Sequence, residues 1–421
     1  MTVRRVGLAA LGLAIALPVS LVGPTPSATA DDDRPPGKPG WTGWAAWTGG
    51  TGPTAGAPQT SDGIAGRRAL PLPLAKVGDW VRTDLAAYPV VPGLGFERFE
   101  LADSRGRVRV QLLRADLSAP GLSLDYLSPR HVTTTAGVLG QVKADRGIAG
   151  VNGDFFDIGD TGAPLGVGKD RQRGPVHGPV DGWNQAFYLD HAGTPRIGTL
   201  AVRSRIRQHP RIAIEHRNSP SVRMGGIGVY TQAWGTLRDY RVTDGQRKRV
   251  RMVAVRNGRV LWNKVRFPRR LPVTGKVLVG RGKGADALRR LTRGKKVTIL
   301  SRTDGSPQVA ITGNQVLLRA GKRTTGDDVD MHPRTAVGID RDTGQVLLMV
   351  VDGRQSFSRG LTMVEMSVLM RQLGAEDALN LDGGGSSTMV TKRPSGTVGI
   401  VNSPSDGRQR QVPNGLVLHH R

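Results

Sequence analysis

The stretch Ala378-Leu379-Asn380-Leu381-Asp382-Gly383-Gly384-Gly385-Ser386 joins a short apolar strand to three consecutive glycines. Glycine loses more conformational freedom on folding than any other residue, so three in succession are costly. Such a run is explained where the backbone must approach a ligand closely and direct its N–H groups at an anion. No Gly-Lys-Ser or Gly-Lys-Thr follows, which excludes a Walker nucleotide-binding loop. The sequence therefore predicts an anion-binding loop at the end of a buried strand.

Two further segments place polar groups at the ends of predicted strands. The strand Ile148–Asn152 runs into Gly153-Asp154, and loops at strand ends are a usual place for functional side chains. A hairpin predicted within 335–351 has Arg334 before its first strand and Arg354 after its second. These two arginines could clamp a phosphate, because guanidinium groups bind phosphate oxygens bidentately. They could equally form ordinary surface ion pairs.

Short strands dominate the rest of the globular part. Residues 107–112 alternate polar and apolar side chains, as half-buried strands do. Two segments suit helices, Thr135–Arg146 and the stretch from Thr362 to about Leu373, where Thr362 and Glu365 form a capping box. The 58 glycines and the absence of cysteine exclude coiled coils, helical bundles and disulfide scaffolds. The predicted fold class is α+β, a strand-rich mixed sheet core with a few helices, plus a basic strand-rich insertion.

Positive charge is concentrated in one part of the chain. The 421 residues carry a formal charge of +26, and residues 241–300 hold 19 Lys and Arg against Asp244 and Asp286. Long-range attraction to a polyanion is one interpretation. The other is a strand-rich subdomain whose basic faces are simply solvated. No recognition helix or aromatic stacking motif indicates nucleic acid, so phosphorylated glycans or anionic cell-wall polymers are the favoured partners.

The N-terminus is typical of a secretory signal peptide. Arg4 and Arg5 precede an apolar run from Val6 to Val22, and Ala28-Thr29-Ala30 is a small-x-small cleavage signature. An uncleaved membrane anchor is the alternative. No later segment approaches the roughly 20 apolar residues that a membrane-spanning helix needs. The sequence predicts a secreted protein, extracellular or associated with the cell wall, with no membrane span after signal cleavage.

The predicted domain organisation has four parts. They are a signal peptide (1–30), a Gly/Pro/Trp-containing linker (31–75), an N-terminal strand-rich region (76–132) and a catalytic domain (133–420) with a basic insertion at about 200–330. The linker contains Trp41, Trp44 and Trp47, either as a patch that contacts sugar or cell wall or as part of a disordered tether.

Six motifs follow one another along the chain. They are Asn152-Gly153-Asp154-Phe155-Phe156, His332-Pro333-Arg334-Thr335-Ala336, Asp352-Gly353-Arg354, Asn380-Leu381-Asp382-Gly383-Gly384-Gly385-Ser386, Val401-Asn402-Ser403-Pro404-Ser405-Asp406 and Arg410-Gln411-Val412-Pro413-Asn414-Gly415. Taken together and in this order, they resemble the phosphodiester glycosidase family. The resemblance covers roughly Thr133 to Leu418 and is loosest between about 200 and 330. It implies hydrolysis of a sugar-1-phosphodiester, which frees the sugar and leaves a phosphate monoester.

The chemistry implied by this resemblance assigns roles to residues. An oxocarbenium-like transition state needs a carboxylate as nucleophile or water-activating base, and the departing phosphate needs its charge neutralised. The catalytic candidates are Asp382, Asp154, Asp352 and His332, with Glu365 and Asp406 as weaker ones. The substrate-binding candidates are Asn152, Arg334, Arg354, Gly383, Gly384, Gly385, Ser386 and Arg410. No cofactor is certain, although Asp154 or Asp382 could hold a divalent cation through carboxylate oxygens.

Two other functions fit the same residues. The first is a non-catalytic protein that binds a wall polymer or another polyanion, in which the glycine loop merely packs. The second is a phosphodiesterase that breaks the P–O bond instead of the glycosidic bond. The sequence does not decide between these and the glycosidase.

Overall fold

The computed structural model describes residues 60–421, in which strands far outnumber helices. The signal peptide and the three linker tryptophans of the sequence analysis lie outside the described residues. Within residues 60–421 no helix is long and apolar enough to cross a membrane. The prediction of a strand-rich mixed fold with a few helices is confirmed. The helices are Val138–Ala144, Lys283–Leu288 and Met363–Gln372, with 3-10 turns at Leu74–Lys76, Gln232–Trp234, Arg241–Thr243 and Gly384–Ser386.

An eight-stranded antiparallel sheet, here called the central sheet, forms the middle of the molecule. The strand of residues 346–351 is apolar throughout and buried on both faces, which explains its central position. Arg334 pairs with Val351, and Ala336 pairs with Asn380. The loops at 332–333, 352–354 and 381–385 therefore leave the same end of the sheet. The strands, in sheet order, are Val81–Val91, Leu94–Asp103, Gly106–Ala115, Val346–Val351, Arg334–Ile339, Asp377–Asn380, Gln315–Arg319 and Lys322–Arg323.

A five-stranded antiparallel sheet, here called the second sheet, meets that end of the central sheet. Asn152 pairs with Gly415, so the strand of residues 149–152 ends where the C-terminal strand begins. The Asp382 amide donates to the Gly153 carbonyl at 2.8 Å, which joins the ends of the two sheets. The strands, in sheet order, are Val398–Ile400, Met389–Lys392, Ala149–Asn152, Gly415–His420 and Leu122–Leu127.

The two predicted helices both form, and one of them is shorter than expected. The capping box of Thr362 and Glu365 is present, and Glu365 is also fully buried in an ion pair with Arg359. The predicted helix Thr135–Arg146 is reduced to residues 138–144. It begins late because Ala136 forms a β-bridge with Val412 and is therefore held in extended conformation.

The basic segment of the sequence forms further strands. One sheet, here called the basic sheet, packs part of its aliphatic side chains into a separate apolar cluster and the rest into the main core. Its strands, in sheet order, are His216–Arg217, Ile227–Thr231, Lys276–Arg281, Val250–Arg256 and Arg259–Lys264. The remaining sheets are Pro195–Thr199, Gln185–Leu189, Val309–Thr312, Gly168–Asp170 and Gly174–His177; His209–Ile214, Val202–Ile206 and Ile299–Thr303; Arg67–Arg68 with Asp330–Met331; and Thr236–Leu237 with Leu271–Pro272.

The predicted division into domains stays a prediction, and the structure adds two facts to it. Strands between residues 81 and 115, which that division separates from the catalytic domain, share the central sheet with strands between 334 and 380. Residues 60–75, which it places in the linker, contact the rest of the protein, and Arg67–Arg68 pairs with Asp330–Met331.

Candidate active site

Asn152 fixes the strand ends from which the candidate site is built. Its Nδ2 donates to the carbonyl of Asp382 at 2.7 Å. Its Oδ1 accepts from the Thr335 hydroxyl at 2.8 Å and from the Thr388 amide at 3.0 Å. The side chain is fully buried and all its hydrogen-bonding atoms are used. This geometry favours a supporting role for Asn152 over the predicted ligand contact.

Asp154 and Asp382 form a pair of buried carboxyl groups. Their exposed fractions are 2% and 1%. Burial raises the pKa of Asp382 to about 7. Burial, and next the charge of Asp382, raises the pKa of Asp154 well above its usual value, and the amides of Gly166 and Phe155 only partly offset this. Both carboxyl groups are therefore easier to protonate than exposed aspartates, which suits them to proton transfer or nucleophilic attack at this site.

A chain of buried polar groups holds the loop that carries Asp154. The Asp154 amide donates to Asn414 Oδ1 at 2.8 Å, and Asn414 Nδ2 donates to the Tyr126 hydroxyl at 3.0 Å. The hydroxyl contacts His177 Nε2 at 2.7 Å, and His177 Nδ1 contacts the Gly166 carbonyl at 2.8 Å. Burial lowers the pKa of His177 to about 4, so the ring is neutral. Since a carbonyl only accepts, Nδ1 donates to Gly166 and Nε2 accepts from Tyr126.

Beside the carboxyl pair lies an anion site, and it holds the carboxylate of Asp62. Arg354 Nη1 and Arg410 Nη2 donate to Asp62 Oδ2 at 3.0 and 2.9 Å, and the Gly385 amide donates to it at 3.4 Å. Asp62 is only 6% exposed. Burial alone would raise its pKa, but hydrogen bonds from Arg354 and Thr60 outweigh burial and hold the pKa far below the usual range. The group is an ionised, nearly buried anion.

The residue next to Asp62 contacts the carboxyl pair. The Ser61 amide donates to Asp382 Oδ1 at 3.0 Å, and the Ser61 hydroxyl accepts from the Phe156 amide at 3.1 Å. Two adjacent residues of one segment therefore contact the anion site and the carboxyl pair. Sequence reasoning missed Ser61 and Asp62, because it assigned both to the linker.

The glycine run allows the close approach that its composition predicts. Gly384 has a φ of +61°, and a Cβ there would lie 2.9 Å from Asp62 Oδ2. A Cβ on Gly385 would collide with the guanidinium of Arg410. The Gly384 amide donates to the Pro333 carbonyl at 2.9 Å, so it is the Gly385 amide that faces the anion. A Cβ on Gly383 would also lie too close to Pro333, at 2.7 Å from its carbonyl oxygen.

Ser386 completes this loop on the side of the carboxyl pair. Its hydroxyl is fully buried and faces Asp382, where it acts to lower the pKa that burial raises. The loop therefore serves both parts of the site. Gly385 directs its amide at the anion, and Ser386 directs its hydroxyl at the carboxyl group.

The motif at 332–334 supports Arg354 and does not face the anion. His332 Nδ1 accepts from Arg354 Nη2 at 3.1 Å. Burial, and next the charges of Arg334 and Arg354, lower the pKa of His332 to about 3. A neutral ring held in this way favours positioning of Arg354 over the predicted acid–base role. Arg334 is fully buried and donates to the carbonyls of Leu361 and Asp330, so its geometry favours a structural role over the predicted phosphate contact.

Two other predicted carboxylates are already occupied by protein groups. Asp352 Oδ2 accepts from Gln111 Nε2 at 2.9 Å, and its Oδ1 accepts from the Ser403 amide at 2.8 Å. Asp406 is paired with Arg410 at 2.7 Å. The geometry therefore favours scaffold roles for both, and it leaves the pair of buried carboxyl groups as the reactive candidates.

A metal centre needs several side chains that converge on one ion. Across residues 60–421 no group of three or more His, Asp or Glu side chains is arranged to hold an ion. Asp154 and Asp382 form a pair only. A divalent cation bound between them stays a prediction from their oxygen chemistry.

Comparison with known proteins shows which family the C-terminal part of the chain resembles. Residues 242–419 match a sequence profile described as phosphodiester glycosidase. The resemblance to that family is confirmed. The matched range includes Arg354, Asp382 and Arg410, whereas Asp154 lies upstream of it.

Individual relatives match only a part of this chain, and the chain matches less than a fifth of the length of the curated relative named here. The mouse N-acetylglucosamine-1-phosphodiester alpha-N-acetylglucosaminidase is 43% identical over 96 residues, which are 21% of this chain and 17% of the mouse protein. A hypothetical protein from Synechocystis superimposes with a TM-score of 0.66 at 22% identity, over 78% of this chain and 62% of that one. A solved structure from Burkholderia pseudomallei K96243 gives 0.66 at 19% identity, over 81% and 97%. The two structures show a shared fold.

Proposed function

We propose that this protein hydrolyses the glycosidic bond of a sugar-1-phosphodiester and releases the sugar and a phosphate monoester. One observation carries the proposal: adjacent residues of one segment place an anion between Arg354 and Arg410 and an amide against Asp382. A sugar-1-phosphodiester has the same two parts, an anion and a reacting carbon beside it. The match to the phosphodiester glycosidase family supports the same reaction.

In the proposed mechanism, the phosphodiester takes the place of the Asp62 carboxylate. The two guanidinium groups and the Gly385 amide neutralise the charge that develops on the departing phosphate. Because a phosphate ester leaves readily, this step needs little proton donation.

The carboxyl pair acts at the sugar carbon. Asp382 has a pKa of about 7, so a large fraction is ionised at neutral pH and can serve as nucleophile or as the base that activates water. Burial raises the pKa of Asp154 well above its usual value, so this carboxyl group holds its proton to higher pH than an exposed aspartate does. It can donate a hydrogen bond to the reacting sugar or to Asp382.

The segment of residues 60–62 fills the site and must leave before substrate enters. Asp62 uses the same donors that a phosphate would use, and Ser61 covers Asp382. The proposed function therefore includes displacement of this segment as a step that lowers the observed rate. Substitution at Asp62 tests that step separately from the chemistry.

We further propose that the enzyme is secreted and acts on phosphorylated glycans of the cell wall or of an exopolysaccharide. The signal-peptide pattern of residues 1–30 supports secretion. The net charge of +26 favours an anionic polymer as the surroundings of the enzyme, because a positive field concentrates such a polymer near the site.

Proton and phosphorus NMR of the protein with an N-acetylglucosamine-1-phosphodiester tests the reaction. We expect free sugar and a phosphate monoester to appear, and the Asp382→Asn variant to lose about 1000-fold or more in rate while it keeps its circular dichroism spectrum. Asp79→Asn, an exposed aspartate outside the site, is the control. Full activity in Asp382→Asn would contradict the mechanism. Failure of a panel of such substrates with the Asp62→Asn protein would contradict the function.

A further inference from the structure

A second strongly basic concavity lies in the basic sheet, outside the candidate active site. It has a volume of about 500 Å³, within the usual range for a ligand site. Arginines supply most of its polar lining and face a single aspartate, Asp286. The lining arginines are Arg247, Arg249, Arg251, Arg266 and Arg289. Five positive charges against one negative charge leave a net charge of +4 on the walls.

The elements of the basic sheet explain how these arginines converge. Arg251 lies on the strand Val250–Arg256, and Arg266 follows the neighbouring strand Arg259–Lys264. The helix Lys283–Leu288 contributes Asp286 and leads directly to Arg289. Val250 and Ala285 form a buried apolar floor. The arginines therefore surround a packed floor from several sides, instead of pointing apart from one exposed strand.

The single aspartate cannot neutralise the pocket. Asp286 is 3.1 Å from Arg249 and 3.8 Å from Arg289, and all three side chains are largely exposed. Within residues 60–421, neither Arg247 nor Arg266 has a carboxylate at ion-pair distance. Like charges held this close repel one another, and a bound anion removes that repulsion. The lining of the pocket therefore keeps a net positive charge of several units.

An aromatic side chain gives the pocket a further feature. Tyr240 stacks on Phe267 with ring centroids 4.8 Å apart and planes inclined by 9°. Arg247 lies over the same Tyr240 ring, with its guanidinium carbon 5.2 Å from the centroid. A guanidinium fixed over an aromatic ring keeps its N–H edge available to phosphate oxygens. An immobilised ring is also suited to the apolar face of a sugar or polyol.

We propose that this arginine pocket is a second anion site, which binds a phosphate group of a polymeric phosphodiester substrate away from the active site. The inference rests on the proposed function for the kind of substrate, and it extends that function from a small diester to a polymer. A small diester needs one anion site. A polymer with repeated phosphates can occupy both, and the effective concentration at the active site then rises.

Binding of long-chain sodium polyphosphate to the full chain tests the pocket without any turnover. Fluorescence anisotropy of labelled polyphosphate at low salt gives Kd for the wild type and for the double variant Arg247→Gln/Arg266→Gln. We expect Kd to rise about fivefold or more in that variant, because two exposed charge contacts are lost. Added salt should weaken wild-type binding more steeply than it weakens binding by the variant.

A matched control separates the pocket from net charge. Arg205 and Arg207 are exposed in the same basic part of the chain and do not line the pocket. The double variant Arg205→Gln/Arg207→Gln makes the same charge change, and we expect its Kd to stay within about twofold of the wild type. Equal losses in both double variants would overturn the proposal, as would the absence of wild-type binding.

Competition identifies what the pocket recognises. Orthophosphate at the same phosphorus concentration should displace little polyphosphate, and complete displacement would mean that the pocket holds free phosphate, which overturns the polymer inference. An oligodeoxythymidylate of equal charge that binds more tightly than polyphosphate would also overturn it.

Hydrolysis of the small N-acetylglucosamine diester should be unchanged in the pocket variant. A wild type that binds polyphosphate but hydrolyses no diester would contradict the proposed function and leave this pocket standing.

Discussion

Two groups of arginines in this protein handle charge in different ways. In the candidate active site, Arg354 and Arg410 are 16% and 13% exposed and converge on one carboxylate oxygen. In the arginine pocket, Arg249 and Arg289 are 68% and 71% exposed and share one aspartate. The first arrangement is fixed before a ligand arrives, and the second depends on side chains that water also solvates.

Because the two groups of arginines differ in burial, they are suited to different kinds of anion binding. Charges withdrawn from water interact strongly and with defined geometry, so the buried pair suits stabilisation of a departing phosphate. Exposed charges contribute little individually and are screened by salt, so the pocket suits weak, repeated contacts with a long anion. The predictions below test this contrast, beginning with the largest expected effect.

Loss of either buried arginine should reduce catalysis severely. We expect Arg354→Gln and Arg410→Gln each to lower kcat/KM for the small diester by about 100-fold, because an uncompensated charge then develops on the leaving phosphate. The pocket variant Arg247→Gln/Arg266→Gln, measured in the same assay, should stay within about twofold. Similar losses in both would remove the distinction between the two groups of arginines.

Removal of the charge on Asp62 should increase activity. Asp62→Asn keeps the size of the side chain and deletes the anion that pairs with Arg354 and Arg410. We expect kcat/KM to rise about tenfold, because the segment then competes less well with substrate. Asp84→Asn, at an exposed position outside the site, should have no effect. An unchanged or lower rate in Asp62→Asn would show that the segment does not obstruct the site.

The pH dependence should report Asp382. Its pKa is about 7 because of burial, so the group is protonated and inactive below that pH, and kcat/KM should rise as pH increases through about 7. A kcat/KM that stays constant or falls as pH increases from 6 to 8 would contradict this role of Asp382.

Asp154 should reduce stability at neutral pH. Its pKa is raised in the folded protein, so the unfolded chain ionises above about pH 4 while the folded chain keeps its proton, and stability falls as pH rises from there. Asp154→Asn avoids this penalty. We expect the stability of this variant, relative to that of the wild type, to increase as pH rises from 3 to 7. Urea unfolding at both pH values measures this, and an equal difference at both would exclude titration of Asp154.

Local sequence signals predicted much of the fold. The hairpin between 334 and 351 and the capping box at Thr362 depend on turn chemistry and short spacings, and both are present. The helix at 138–144 was predicted too long, because the bridge from Ala136 to Val412 spans most of the domain and leaves no local signal. The glycine run predicted a close backbone approach, and its structure has one.

The composition of the candidate site was less predictable. Asp62 meets Arg354 and Arg410 across 292 and 348 residues, and no periodicity records such a contact. Asn414 was visible as part of a motif, yet its role in holding Asp154 follows only from the strand register. Asp352 is a residue type that can act in catalysis, which is why the sequence predicted it. Its hydrogen bonds with Gln111 and Ser403 favour a scaffold role, and no sequence pattern shows these partners.

The most direct test of the account is the fate of oxygen from labelled water. The central claim is that the buried arginines hold the phosphate as a leaving group while the carboxyl pair acts at the sugar carbon. Turnover of the small diester by the Asp62→Asn protein in 18O-enriched water should therefore place the label on the anomeric hydroxyl of the released sugar, with none in the phosphate monoester. Label in the phosphate would contradict the account, because it would mean that the P–O bond breaks.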